Sequence, residues 1–331
     1  MIKTGVRTPR LRCWPAVILF AVSTVPAAAQ TTVFTETFSR SDVPAPGTIN
    51  GTGTPTSYTI SGTGTGAGTT NASVAAASGN SYLVLDGTIA GNGSKSVAGA
   101  IPGGSGFSTT LSQNQTVTWG MNFKQNFANS SGGNGGFGVG SYGLATVLAA
   151  SSTDLSTASG YAVILGSNGN SDRVDLVRFV NGLSNQTSVL PNVQSVRLSS
   201  LNSGNQQSYA SAKVDYTAAT NTWALSVRND GTSAWADPLT GYTGVSALAG
   251  TGSVEQIGNG QSTLTNIPLA NFGFDWNYGA TTISSSQFDN FSLAFTPVPE
   301  PATVGLLAAV GLGLARLTRR CRPSPAGRVT A

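Results

Sequence analysis

The stretch that decides the fold is residues 211–228, which read SAKVDYTAATNTWALSVR. In its second half, Trp223, Leu225 and Val227 alternate with small or polar residues. This two-residue period is typical of a strand with one buried face. The connection between the two halves contains Asn221, a residue that turns accept readily. The stretch therefore predicts a β-hairpin with strands at Ser211–Tyr216 and Thr222–Arg228.

Short apolar runs separated by Gly, Ser, Asn and Thr continue on both sides of this hairpin. One of them alternates in the same way, with Val117, Trp119 and Met121 on one face. Many strands without helical patterns between them indicate an all-β sandwich or barrel. Further strands are predicted at Val33–Phe38, Tyr82–Leu85, Gln115–Phe123, Gly160–Leu165, Arg173–Val180, Phe272–Trp276 and Gln287–Phe295.

Residues 48–80 differ from the rest because they are almost entirely Gly, Thr, Ser and Ala. Such a composition lacks the large apolar side chains that mark a buried strand face. The stretch is predicted to be a long surface loop, with a frayed strand pair as the alternative.

The composition excludes several kinds of site. The chain has 331 residues, of which 42 are Gly, and Glu occurs only at Glu36, Glu255 and Glu300. Long surface helices are not expected, because their exposed faces need Glu, Lys, Arg, Ala and Leu. Histidine is absent, and the two cysteines, Cys13 and Cys321, lie in the terminal segments. A Ser-His-Asp arrangement, a catalytic thiol, a disulfide and a Cys-based zinc site are thereby excluded from the central domain.

The formal net charge of +4 belongs to the ends of the chain. Nine of the 17 Lys and Arg residues lie before residue 30 or after residue 298, whereas 12 of the 13 acidic residues lie between them. The central domain therefore carries eight cations against 12 anions, a net charge of about −4. Because nucleic-acid binding needs a basic patch, no nucleic-acid partner is expected.

The N-terminus has the three parts of a secretory signal peptide. Four cations precede an apolar run at residues 14–25, which is shorter than the roughly 20 residues that span a bilayer. Ala27 and Ala29 then supply the small residues that a signal peptidase recognises, with cleavage before Gln30. Residues 1–29 are predicted to be a signal peptide, with a membrane anchor as the alternative, and the folded domain is predicted to span residues 30–296.

Residues 297–331 contain three features in a fixed order. Two prolines hold the tripeptide at 299–301 extended, so that an enzyme can bind it as a strand. The segment at 302–315 is apolar on all sides, as a lipid environment requires. The basic tail at 316–331 is expected to stay on the cytoplasmic side and stop translocation. The predicted sorting residues are Pro299, Glu300, Pro301, Arg316, Arg319, Arg320 and Arg322.

This ordered tripeptide, short helix and basic cluster resembles the PEP-CTERM sorting signal of exosortase-bearing, mostly Gram-negative bacteria. The resemblance implies an inner-membrane-bound precursor with a transmembrane sorting helix. It also implies that an exosortase cuts near Pro299–Pro301 and discards the tail. The mature protein would then act at the cell surface, in the outer envelope or in the extracellular matrix, in a setting of exopolysaccharide and biofilm.

Three segments of the central domain resemble laminin-G and concanavalin-A-like jelly rolls. They are the opening FTETF at residues 34–38, the run at 209–216 that leads into Trp223, and the closing FDNFSL at 288–293. The resemblance implies a single jelly-roll β-sandwich in which the first and last strands pair.

No catalytic constellation is predicted. The run GNGGFG at 133–138 fits a dinucleotide-binding glycine pattern, but its flanks do not predict a strand before it and a helix after it, so it is expected to be a loop. Glycosidases use two carboxylates at a fixed separation, and neither Glu36 nor Glu255 lies in such a setting. The charged run Asp172–Asp175 is expected to be a solvated strand end. The chain is therefore predicted not to be an enzyme, with no catalytic or cofactor-binding residue.

Calcium is kept as a candidate because it needs only oxygen ligands. Asp86, Asp275 and Asp289 are the carboxylates considered for it, although no EF-hand loop is present and none is assigned as a ligand. Among the tryptophans, Trp235 is expected to be the most exposed and a candidate for stacking on sugars. The others considered are expected mainly to fill the core, as aromatic residues do in sandwiches: Trp119, Trp223 and Trp276.

The sequence thus predicts an exported, non-enzymatic cell-surface or matrix protein. Its expected partners are signal peptidase and exosortase during export, with extracellular polysaccharide as a candidate afterwards. The alternative is a lectin-like carbohydrate-binding module, with calcium as a candidate cofactor.

Overall fold

The structure is a computed structural model that describes residues 31–38, 58–64, 72–77, 80–86, 93–102, 115–126, 134–135, 137, 141–166, 173–190, 196–197, 209–218, 220, 222–231, 234–242, 247–252, 269–278 and 285–297. The predicted signal peptide and sorting signal lie outside these residues. The roles in signal-peptide cleavage and sorting therefore stay predictions for the following residues: Ala27, Ala29, Pro299, Glu300, Pro301, Arg316, Arg319, Arg320 and Arg322.

The regular structure of the described residues is entirely β, as predicted. All the strands predicted from the sequence are present, and their bounds differ from the predicted ones by three residues or fewer. None of the described segments is a helix of the length and hydrophobicity that crossing a membrane requires. The strands are β1 Thr31–Glu36, β2 Tyr58–Gly64, β3 Ala72–Ala77, β4 Asn80–Asp86, β5 Gly93–Ala100, β6 Gln115–Asn126, β7 Asn134–Gly135, β8 Ser141–Ala150, β9 Gly160–Leu165, β10 Arg173–Phe179, β11 Gln186–Ser188, β12 Val196–Arg197, β13 Tyr209–Thr217, β14 Thr222–Gly231, β15 Ala247–Gly252, β16 Asn271–Tyr278 and β17 Ser285–Pro297.

These strands form two sheets. An eight-stranded sheet has the order β15-β14-β13-β6-β17-β4-β3, with β1 also paired to β17. A nine-stranded sheet has the order β11-β10-β9-β8-β16-β5-β2, with β12 paired to β10 and β7 paired to β8. The described pairings are antiparallel except for the short parallel contact between β7 and β8.

The predicted hairpin is confirmed, and it lies in the eight-stranded sheet. Its last pair before the turn is Thr217 opposite Thr222, while Asn221 lies outside the described residues. Trp223, Leu225 and Val227 are buried and the residues between them are partly exposed. The alternation in the sequence therefore marks the face that packs into the core.

The first and last described strands pair, as the resemblance to jelly rolls implied. Phe34 lies opposite Leu293, and Glu36 lies opposite Phe291. The same edge of β17 pairs with β4 before a bulge that follows Asp289, and Asn290 in the bulge has a φ of 48°. The bulge therefore lets one long strand take two successive partners on one side.

The two sheets pack face to face around an aromatic core. Phe34 of the eight-stranded sheet lies 5.0 Å from Phe272 of the nine-stranded sheet, measured between ring centroids. The Trp119 indole donates a 3.2 Å hydrogen bond to the carbonyl of Leu148 in β8. The expected core tryptophans Trp119, Trp223 and Trp276 are at most 1% exposed.

Residues 48–80 differ from the predicted loop. They contain β2 and β3 and the first residue of β4, and the remaining residues of the stretch lie outside the described ones. The two strands do not pair with each other, since β2 pairs with β5 and β3 pairs with β4 in the other sheet. A run of small side chains shows no alternation of large apolar and polar residues. The two strands are therefore defined by their backbone hydrogen bonds to β5 and β4.

Candidate functional site

One half of the outer face of the nine-stranded sheet is apolar and covered. The loop at 151–159 lies directly on β16, because a Cβ added to Gly273 would be 3.1 Å from the Leu155 side chain. Backbone hydrogen bonds from Ser151 to Ser159 (2.9 Å) and from Gly182 to Ala158 (2.8 Å) hold this cover together. The buried cluster comprises Ala98, Ala145, Val147, Ala150, Leu155, Ala158, Ala162, Ile164, Val177, Phe179 and Leu183.

The other half of this face is polar. Its outward orientation follows from the sequence of β16, NFGFDWNY. Phe272, Phe274 and Trp276 point into the core. Asp275 and Asn277 alternate with them and therefore point away from the core. The strand register then places a row of residues across six strands, from β2 to β10. In order, the row is Ser61, Ser96, Asp275, Ala145, Ile164 and Asp175. It runs from the polar half into the apolar one, since Ala145 and Ile164 belong to the buried cluster.

Small and polar side chains surround Asp275. The hydroxyls of Ser61 and Ser96 are joined by a 2.6 Å hydrogen bond on the neighbouring strands. One step along the sheet, Asn277 lies between Ser94 and Gly143. The row and the neighbouring Asn277 therefore bring hydroxyl, carboxyl and amide groups together on one part of the sheet, beside the small residues Gly143 and Ala145.

Within the described part of the chain, the Asp275 carboxyl has no compensating partner. The residue is only 7% exposed, and among the described residues no hydrogen bond or ion pair reaches its side chain. Burial raises the pKa of this carboxyl to about 7. Since buried polar groups are nearly always paired, this carboxyl is a candidate for binding a ligand.

The nearest described carboxylate in the row is too far away for paired-carboxylate chemistry. Asp175 accepts a 3.0 Å hydrogen bond from Ser188 and lies three strands from Asp275. Three strand spacings are about 14 Å. Glycosidases need roughly 5–5.5 Å or 6.5–9.5 Å between their two carboxyls.

Two of the three aspartates considered for calcium, Asp275 and Asp289, lie apart. Asp275 lies on the outer face of the nine-stranded sheet, whereas Asp289 lies in β17 of the other sheet, opposite Asn122. The side chain of Asp86 lies outside the described residues. Within the described part of the chain no group of three or more His, Cys, Asp or Glu could hold a metal ion. Asp275 and Asp289 therefore do not share a calcium site, and calcium stays a candidate cofactor.

The other residues considered from the sequence make structural contacts or lie outside the described residues. Glu36 is buried and accepts hydrogen bonds from the Phe38 amide (2.7 Å) and the Tyr58 hydroxyl (2.8 Å). Glu255 and Asp172 lie outside the described residues. In the glycine-rich run, β7 pairs with β8, and Phe137 packs against the apolar cluster. Another strand follows this run, not the helix that a dinucleotide site needs.

Trp235 is partly exposed and lies against the eight-stranded sheet. Its ring centroid is 4.5 Å from that of Tyr209 and 6.2 Å from that of Tyr82, both in edge-to-face geometry. Sequence reasoning identified Trp235 as the most exposed of the tryptophans considered, and it alone among them is not fully buried. Its tyrosine neighbours, which come from distant strands, were missed.

No family model matches the chain, and no curated protein matches it in sequence. Similar solved structures include peanut lectin with a 9-mer peptide, at 12% identity and a TM-score of 0.38, over 73% of this chain and 99% of that one. A lectin from Bauhinia forficata in complex with GalNAc has 10% identity and a TM-score of 0.40, over 81% and 99% of the two chains. The CBM2 module of the Lactobacillus casei BL23 phage J-1 evolved Dit has 11% identity and a TM-score of 0.41, over 83% and 99%. Because these TM-scores are low, the fold is described from the strand pairing of this chain alone.

Proposed function

We propose that this chain is an exported, non-catalytic surface protein whose β-sandwich binds neutral polysaccharide through the row around Asp275. The observation that carries the proposal is the outward-facing carboxyl of Asp275, which is buried without a partner among the described residues. An ionised carboxylate accepts hydrogen bonds at both of its oxygens. Adjacent hydroxyl groups of a pyranose supply donors of the kind that would complete this site.

The surroundings of Asp275 favour a sugar over a metal ion or a charged ligand. Ser61 and Ser96 offer hydroxyls that both donate and accept, as sugar hydroxyls do. Gly143 and Ala145 on β8 place only small side chains beside Asn277 and Asp275. Among the described residues, the cross-strand row contains no cation that could pair with an acidic ligand.

The proposed role is binding without cleavage. Asp275 and Asp175 are about 14 Å apart, beyond the separation of a glycosidase pair. Glu36 is buried within the domain and engaged by Tyr58. A single carboxyl with serine neighbours can hold a sugar, but it lacks the second carboxylate that hydrolysis needs.

Export and sorting are the second part of the proposal, and they follow from the two ends of the sequence. Signal peptidase would cut after Ala29, and exosortase would cut at Pro299–Pro301 after a transient stay in the inner membrane. Strand β17 ends at Pro297, and one residue separates it from that tripeptide. The mature protein would then meet exopolysaccharide at the cell surface or in the matrix.

The jelly-roll assignment supports this role. Pairing of β1 with β17 and the two antiparallel sheets agree with a concanavalin-A or laminin-G-like topology. The proposal places the sugar on the outer face of the nine-stranded sheet of that jelly roll.

Affinity electrophoresis tests the binding. The full-length chain, kept in solution with a non-ionic detergent, is run through gels containing soluble glucan, xylan, mannan or galactan. At least one polymer should retard it, and Asp275→Asn or Ser96→Ala should restore its mobility. Asp215→Asn, which removes a partly exposed carboxylate from the other sheet, is the matched control and should remain retarded.

The catalytic alternative is tested on the same samples. Hexasaccharides from the retarding polymer should be recovered intact after prolonged incubation. Release of shorter products that Asp275→Asn abolishes would identify a hydrolase and overturn the non-catalytic proposal.

A further inference from the structure

The outer face of the eight-stranded sheet carries a second group of side chains, here called the aromatic site: Tyr82, Lys124, Tyr209, Trp235 and Gln287. Four strands and one connecting segment contribute to it. Lys124 of β6 lies opposite Gln287 of β17, and its ammonium lies over the ring of Tyr209 of β13. Tyr82 of β4 follows beyond β17, and Trp235 lies over the group from the 234–242 segment.

The 234–242 segment is fixed on the sheet, so the position of Trp235 is defined. The Asn122 side chain donates a 2.9 Å hydrogen bond to the Ala236 carbonyl. The Arg228 guanidinium donates a 3.0 Å hydrogen bond to the carbonyl of Asp237. Leu239 packs against the backbone of Gly120, where an added Cβ would lie 2.7 Å from it. The aromatic site is therefore a rigid surface built on the sheet.

Lys124 is the unusual member of this site. It is 8% exposed, and its ammonium lies 4.1 Å from the centroid of the Tyr209 ring. Within the described residues the ion pairs are Lys213 with Asp215 and Arg228 with Asp230, and no carboxylate pairs with Lys124. The cation–π contact with Tyr209 is thus the interaction found for this ammonium, and no anion accompanies it among the described residues.

The neighbours of Lys124 indicate what kind of anion fits. The Oε1 of Gln287 is buried and has no hydrogen-bond partner among the described residues. The pKa of Tyr82 is raised by burial and by the nearby Tyr209, so the Tyr82 phenol keeps its proton at neutral pH. Among the described residues, the site thus combines a cation without a carboxylate partner, an acceptor without a donor, two hydroxyl groups and three aromatic rings.

We infer that the aromatic site binds an acidic sugar, a uronate residue of an anionic polysaccharide. The carboxylate of the uronate pairs with the Lys124 ammonium, a charge-assisted interaction that neutral sugars cannot make. A sugar hydroxyl donates to Gln287, and the apolar face of the pyranose lies on the rings of Trp235 and Tyr209. This site is independent of the Asp275 site, because it lies on the opposite sheet.

Nucleic acid also combines negative charge with stacking surfaces, but it fits this chain less well. The central domain carries a net charge of about −4, and Lys124 is a single cation without the basic patch that a phosphate backbone needs. Single-stranded DNA is therefore the competing probe in the test.

Calorimetric titration of the full-length chain in non-ionic detergent tests the site, with tetragalacturonate as the probe. Maltotetraose is the neutral comparison and a tetranucleotide of dT is the nucleic-acid comparison. Tetragalacturonate should bind more tightly than either. Lys124→Gln should weaken it by at least about tenfold, as loss of a charge-assisted hydrogen bond implies. Lys213→Gln, which removes a lysine from the same sheet outside the site, should change it less than about twofold.

Gln287→Glu separates binding from folding. The new carboxylate would pair with Lys124 inside the protein, so the melting temperature should stay the same or rise while tetragalacturonate binding is lost. Equal affinity for tetragalacturonate and maltotetraose would overturn the inference. So would tighter binding of the tetranucleotide, or tetragalacturonate binding that Gln287→Glu leaves intact. Each of these results leaves the Asp275 proposal standing, because that proposal concerns neutral polymers and the other sheet.

Discussion

The hydroxyl of Tyr58 donates a 2.8 Å hydrogen bond to the Oε2 of Glu36, and this bond joins the two sheets. Tyr58 begins β2 of the nine-stranded sheet, and Glu36 ends β1 of the eight-stranded sheet. Both residues are buried. Because the bond is shielded from water and made to a carboxylate, it contributes more to stability than a hydrogen bond at the surface.

Tyr58→Phe should therefore lower the free energy of unfolding by about 1.5–3 kcal/mol, the usual range for hydrogen bonds to charged groups. The measurement is urea unfolding followed by tryptophan fluorescence. Tyr242→Phe is the matched control, since its hydroxyl bonds a backbone carbonyl in a partly exposed segment. A Tyr58→Phe variant as stable as the unsubstituted chain would show that the bond does not hold the sheets together.

Gly160 at the start of β9 should not accept any side chain. A Cβ there would lie 2.0 Å from the carbonyl oxygen of Ala149 in the paired strand β8, and a backbone atom cannot easily move aside. Gly160→Ala should lower the free energy of unfolding by at least about 2 kcal/mol, as overpacking does.

Gly231→Ala is the comparison for Gly160→Ala. Gly231 has a φ of 81° but nothing within 4 Å of an added Cβ, so only backbone strain of about 1–2 kcal/mol is expected. Thermal unfolding of both variants measures the difference. Equal losses would contradict the packing of β9 against β8.

The pH dependence of stability should contain a contribution from Asp275. Burial raises its pKa to about 7 in the folded chain, while an unfolded Asp titrates near about 4. Between these values the folded chain holds a proton that the unfolded chain has released. The free energy of unfolding therefore falls as pH rises from about 4 to 7, and this contribution is constant above that window.

Asp275→Asn removes this titration. Relative to the unsubstituted chain, the variant should gain stability between pH 4.5 and pH 8, by an amount on the order of a few kcal/mol. Urea unfolding at the two pH values measures the gain. Asp154→Asn is the control. Hydrogen bonds from Ser156 lower the pKa of Asp154, so this substitution should give no gain in stability at pH 8. The same gain in both variants would show that Asp275 is not the group responsible.

The sequence predicted the sheets better than the sites. Alternation in Thr222–Arg228 and in Gln115–Phe123 identified strands and their buried faces, because large apolar side chains mark the core. Strands β5 and β8 were missed, since their Gly, Ser and Ala residues carry no such contrast and depend on their neighbours for strand pairing. The same limitation produced the loop predicted at 48–80.

The candidate sites depend on contacts between residues distant in the sequence. The alternation in Phe272–Trp276 implies that Asp275 faces outward, but Ser61 and Ser96 join it only through the order of strands in the sheet. Lys124 and Gln287 are adjacent although 163 positions separate them in the chain. A single sequence contains no signal for such pairings.

The predicted sorting signal can be tested by the mass of the mature protein. If Pro299–Pro301 is the exosortase site, intact-mass analysis of the surface protein from an exosortase-bearing host should find a start at Gln30 and an end near the tripeptide. Glu300→Ala, or replacement of the four arginines at 316, 319, 320 and 322 by Ser, should leave unprocessed precursor in the membrane. A mature protein that still ends at Ala331 would contradict sorting but not export.

Saccharide binding at Asp275 is most directly tested by nuclear magnetic resonance. The 15N-labelled chain is titrated with neutral hexasaccharides of glucose, xylose, mannose and galactose. For at least one of them, the amides of Ser96, Asp275 and Ala145 should shift progressively and saturate, and Asp275→Asn should abolish the shifts. If no hexasaccharide produces saturable shifts at these residues, or if the shifts persist in Asp275→Asn, the outer face of the nine-stranded sheet is not a sugar-binding surface.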